Sequence, residues 1–290
     1  MVQEQQYQLY MELESDPLNR ERGLLDQLLT ESRLYKSGKD YQHLLDFVSG
    51  FPQFAPFNAM LLQIQKPGLS FAASAYEWKR LFKRTIKLDA RPLLIMWPFS
   101  PVALVYDVMD TEGEELPQDV FAFYARGEIN DKKLNSFRDI MKKINIQWDC
   151  IDAGDYKAGS IMVIDRADPK DKKGRNRYRM GINRNHQPAV QFATLAHELA
   201  HLFLGHLGTD KHLNISDRSN LRHDQEEIEA ESVAYLVCKR NGVEPGSAKY
   251  LSAFVDESTS TVDIDMYSVM RAAGHVESFL RIASPTKFTK

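Results

Sequence analysis

The chain is poor in cysteine, with two in 290 residues, Cys150 and Cys238. Two thiols cannot build a disulfide framework, so a hydrophobic core must hold the fold, and both are expected as buried free thiols. No apolar run is long enough to span a bilayer, and no charged-then-apolar leader opens the sequence. A cytoplasmic protein without membrane contact is therefore expected. A surplus of charge is missing too. The net charge is −3, which argues against indiscriminate nucleic-acid binding and leaves room only for a local basic patch. There is no internal repeat, which excludes a solenoid. What is present suffices for a folded chain: 43% of the residues are hydrophobic, and the length fits one large or two medium domains.

The most informative stretch is ATLAHELAHLFLGH, Ala193 to His206. Residues four apart share a helix face, so His197 and His201 can aim both imidazoles at one ion. Glu198 sits about 100° round the helix, within reach of a water on that ion. This is the H-E-x-x-H pattern of zinc hydrolases, with the glutamate as general base. Pro188 precedes the helix, where proline is tolerated, and Gly205 can end it. Phe192, Leu195, Leu199, Leu202 and Phe203 supply its buried face. A chance match in a chain this long is on the order of one in a hundred, so a third ligand is needed to decide.

His206 is a poor candidate for that ligand. On a continuous helix it lies about half a turn from His197, which makes it a helix-end histidine, with support of a ligand or contact with substrate as the alternative. The better source is DQEEIEAESVAYLVCKRNG, Asp224 to Gly242. This segment is acidic at its start and basic at its end, as the helix dipole favours. Glu227 and Glu231 share a face. Glu227 is taken as the ligand and Glu231 as the partner that orients a ligand histidine, with the reverse assignment as the alternative. Glu226 and Glu229 read as solvated carboxylates. Tyr235, two turns from Glu227, is a candidate transition-state donor or else a core tyrosine. His223 and Arg222 read as exposed loop residues, and His275, His186, His212 and His43 as structural or surface histidines.

HELAHLFLGH followed by EEIEAESVAYLVC resembles the ImmA/IrrE family of zinc metallopeptidases, over roughly residues 155–285. The resemblance implies a zincin-like domain in which His197, His201 and Glu227 hold Zn²⁺ and Glu198 activates water against a peptide bond. Such peptidases typically cut a transcriptional repressor, often in mobile elements. The resemblance also implies that the strand RYRMGIN, just before the motif, is an edge strand beside the cleft, open to substrate backbone. Many relatives carry Glu-x-x-Ala-Asn on the second helix. Here Glu231 replaces the Asn.

The first half carries a second resemblance. FNAMLLQIQKPGLSFAASAYEWKRLFKRTIKLDARPLLIMWPF, Phe57 to Phe99, followed by VYDVMDTEG, resembles the N-terminal domain of ArdC-type antirestriction proteins. It implies binding of single-stranded DNA, and as an alternative function an antirestriction protein whose zinc is structural or regulatory. The sequence departs from that family where relatives show Lys-Gly-Glu-Lys-Gly and this chain reads KLDARP. Lys79, Arg80, Lys83, Arg84 and Lys87 are the candidate DNA contacts, interleaved with Trp78 and Phe82, which could stack on bases or enter the core. Together these readings predict an α+β protein, with a smaller ArdC-like domain over 1–150 and a zincin-like metallopeptidase domain over 151–290. The expected partners are a protein or peptide substrate and single-stranded DNA.

Overall fold

The structure is a computed structural model. It describes residues 38–97, 100–116, 129–153, 158–168, 170–171, 174–244 and 264–282. In chain order these form α1 (Gly38–Gly50), α2 (Pro56–Gln65), β1 (Ala72–Ala73), α3 (Ala75–Leu81), β2 (Arg84–Ile86), β3 (Leu93–Trp97), β4 (Ser100–Asp107) and β5 (Thr111–Gly113). They continue with α4 (Asp131–Lys143), β6 (Ile146–Ile151), β7 (Gly159–Asp165), β8 (Arg177–Asn183), α5 (Pro188–Leu204), α6 (His223–Arg240) and α7 (Met266–Phe279). The chain is α+β, as the sequence predicts.

Two compact units result, one within Asn58–Phe121 and the other within Lys36–Phe57 and Ala122–Pro285. The packing groups α1 and α4 with the second unit, whereas the sequence division places them in 1–150. The physical reason is pairing: β6 runs parallel to β8, and α4 packs on β6.

In the first unit, β1, β4 and β3 make an antiparallel sheet with β4 in the middle. Ser74 opens α3 with a capping box, its Oγ accepting from Glu77 N–H while the Glu77 carboxylate accepts from Ser74 N–H. That start turns Trp78 fully inward, where its Nε1–H donates to Tyr106 O at 2.9 Å. On α2, Asn58 and Gln65 act as substitute strand residues along β3. Asn58 gives and takes a hydrogen bond at Met96, and Gln65 does the same at Leu94, all at 2.8–3.1 Å. Two side-chain amides thus saturate the edge that β4 does not pair.

The second unit is built on a three-stranded sheet ordered β6-β8-β7, with β8 parallel to β6 and antiparallel to β7. The expected edge strand RYRMGIN is therefore the central strand, because two neighbours claim its two sides. The edge beside α5 belongs to β7. Helices α5, α6 and α7 pack on one another, burying Leu195, Leu199, Val233, Leu236, Val269 and Val276 completely. Each contributes roughly 1.5–3 kcal/mol. Arg240 is 4% exposed despite its charge. Its guanidinium is saturated by Glu277 and by the carbonyls of Val48, Phe51 and Phe54, which ties α6 to α7 and to the turn after α1. Cys238 is buried as expected, but Cys150, on β6, is exposed.

Candidate metal centre

Helix α5 carries Pro188 at its start and ends at Gly205, which is left-handed (φ 83°). Gly205 N–H bonds to Leu202 O and His206 N–H bonds to His201 O, the paired bonds of a Schellman motif. A Cβ at Gly205 would lie 2.1 Å from Ser216 O, so only glycine fits. His197 and His201 point from α5 toward α6, and Glu227 meets them from the first turns of that helix.

The three groups converge. His197 Nε2 lies 3.1 Å from His201 Nε2, and Glu227 places Oε2 3.5 Å from His197 Nε2 and Oε1 3.5 Å from His201 Nε2. Ligand atoms at zinc–nitrogen distances of about 2.0–2.1 Å in a tetrahedron stand about 3.3 Å apart. Among the described residues, this His–His–Glu set is the group able to hold a metal ion. The two rings are pushed apart in pKa: burial works against a charged His197, but hydrogen bonds to Glu227 and Glu231 outweigh it and raise the ring to about 10, whereas burial and the neighbouring His197 charge push His201 down to about 3.

Glu231 Oε2 lies 2.9 Å from His197 Nδ1, on the side of the ring away from Glu227. Glu227 faces the Nε2 atoms of both rings instead. Glu198 is 8% exposed beside edge strand β7. Burial raises its carboxyl to about 7, while the charge on His197 and the N–H of Ile161 partly restrain the rise. A Cβ on Gly159 of that strand would fall 3.3 Å from Glu198 Oε1 and 2.5 Å from Thr194 Cγ2. His223 stands at the rim, highly exposed, with Nδ1 3.7 Å from Glu227 Oε1.

Other expectations change. Tyr235 donates its hydroxyl to Asp46 Oδ1 on α1 at 2.6 Å, so it is committed elsewhere and is not the donor at the cluster. Glu229 is not solvated but fully buried, because Arg218 grips it with two bonds of 2.7 Å. His206 does not sit on the far face. Helix α5 stops before it, and the Gly205 turn swings its Nδ1 to 3.0 Å from His201 Nδ1. Gly205 next to His206 was the signal for this reversal. The basic residues do not form one free patch. Lys79 and Arg80 are exposed at the end of α3, with Arg80 over the Tyr76 ring. Lys83 pairs with Glu114, and Lys87 donates to Met109 O. Arg84 bonds to Thr111, Gly113 and Glu114, bracing β2 against β5.

Residues 159–238 match the family model of the IrrE N-terminal-like domain, Peptidase_M78. The matched span opens with β7 and closes within α6, so it holds His197, Glu198, His201 and Glu227. That match agrees with the resemblance read from the second-half motifs. A solved structure of the antirestriction protein ArdC from the R388 plasmid, in its Mn(II)-bound form, is also similar. It is 17% identical and covers 86% of this chain and 99% of its own, with a TM-score of 0.38. Comparison with curated proteins gives no match. No helix among the described residues is long and apolar enough to cross a membrane.

Proposed function

We propose that the chain is a zinc-dependent peptidase that hydrolyses a peptide bond in a protein substrate. The observation that supports it is the convergence of His197, His201 and Glu227, whose ligand atoms lie within 4.8 Å of one another, with Glu198 beside them. Zinc bound there would polarise the scissile carbonyl and lower the pKa of a water. His197 and His201 offer Nε2, and Glu227 offers one carboxylate oxygen. Glu231 holds the His197 ring through Nδ1. Glu198, made basic by burial, takes a proton from the attacking water and hands it to the leaving amine. Asn183 N–H bonds to Ala158 O, so by the alternation of an antiparallel pair Gly159 and Ile161 face away from β8. An extended substrate adds to that edge as a further strand.

Glu198→Gln should keep the metal, read by mass spectrometry of the purified protein. It should lose at least about 10²-fold in cleavage of a quenched fluorescent peptide library. His197→Ala should lose both. Native-rate cleavage by Glu198→Gln would sink the mechanism.

Single-stranded DNA binding by the first unit is a second reading, supported by the exposure of Lys79 and Arg80. It expects affinity for an oligonucleotide that falls steeply with salt and survives Glu198→Gln. Binding that is absent at low salt would remove it.

A further inference from the structure

A chain of buried side chains leads away from His201. His206 Nδ1 lies 3.0 Å from His201 Nδ1, and His206 Nε2 lies 3.3 Å from Glu229 Oε2. Glu229 is fixed in turn by both terminal nitrogens of Arg218 and by the N–H of Asp265, at the start of α7. His206 is 7% exposed and Glu229 is 0% exposed. Arg218 is itself placed by its backbone N–H on Gly205 O. The turn that brings in His206 therefore also positions the cation that anchors the far end.

Resting on the reading of His201 as a metal ligand, we propose that His206 and Glu229 are positioning residues that fix the tautomer and orientation of His201. The proton order follows from the two ends. A metal on His201 Nε2 takes that lone pair and leaves the proton on Nδ1. Two Nδ1 atoms facing each other need one donor and one acceptor, so His201 Nδ1–H donates to His206 Nδ1. The His206 proton then sits on Nε2 and is donated to Glu229, which can only accept. The relay runs in one direction, toward the carboxylate.

The two ligand histidines are thus supported differently. His197 meets the Glu231 carboxylate directly, which makes its ring the stronger electron donor. His201 meets an imidazole, and behind it Glu229 is paired with Arg218.

The test is zinc affinity by chelator competition for the native chain, His206→Leu and His206→Gln, together with nitrogen-15 NMR of the histidine rings in the native zinc-loaded protein. His206→Leu should bind zinc about 10- to 100-fold more weakly. His206→Gln, whose amide can accept from His201 and donate to Glu229, should recover much of that loss. The NMR spectrum should show His206 protonated on Nε2 and His201 on Nδ1. Native affinity in His206→Leu, or a His206 ring protonated on Nδ1, would overturn the relay. If His206→Leu does not fold, the NMR result on the native chain decides. Failure of the native protein to take up zinc would overturn the metal reading itself, and the relay with it.

Discussion

Gly159 is the residue at which the edge strand and the proposed general base touch. A methyl group there would sit 2.5 Å from Thr194 Cγ2 and 2.8 Å from Gly181 O. Since Gly181 O is backbone, the strand itself must shift. Gly159→Ala is expected to cost about 1–3 kcal/mol by overpacking, seen as a lower melting temperature. It should reduce peptide cleavage while zinc content stays at the native level, because none of the three ligands lies on β7. At this scale the candidate centre was legible where it rests on helical spacing: His197, Glu198 and His201, then Glu227 with Glu231 one turn on. A supporting role for His206 was among the readings, but its position and that of Glu229 were not legible. Their places depend on a chain reversal at Gly205 and on Arg218, a loop residue with no periodic relation to either helix.

At the scale of elements, local pattern identified most helices and strands, but neighbours decided their roles. RYRMGIN reads as a strand from its alternation, yet nothing within it says that it pairs on both sides. That is set by where β6 and β7 return. The basic stretch around β2 shows the same limit. Composition marks Arg84 as a candidate for phosphate, whereas its guanidinium bonds to Thr111 and to the carbonyls of Gly113 and Glu114. Arg84→Ala should therefore lower stability by about 1–2 kcal/mol in thermal unfolding. Arg84→Lys should recover little of it, since an ammonium cannot span several acceptors in one plane. An unchanged melting temperature with weakened oligonucleotide binding would return Arg84 to the DNA reading.

For the whole molecule, the two thiols give a comparison between surface and core. Cys150 is exposed, and burial pushes the Cys238 thiol well above its usual range. A maleimide should label one site on the folded protein and two after unfolding. The folded chain keeps the Cys238 proton that an unfolded chain releases above about pH 9. Stability from this group is therefore complete below that value and is lost as pH rises beyond it. Between pH 8 and 10 the loss is about 1.4 kcal/mol. Unfolding of the native chain should fall more steeply over that interval than unfolding of Cys238→Ala, and equal slopes would contradict the burial argument. The amides of Asn58 and Gln65 bear on how the protein behaves when concentrated. A bare strand edge recruits the edge of another molecule and seeds aggregates. With Leu94 and Met96 already bonded on that side, β3 offers no template, and crowding leaves it inert. Replacing both amides with alanine would expose those backbone groups and turn a quiet edge into a route to precipitation.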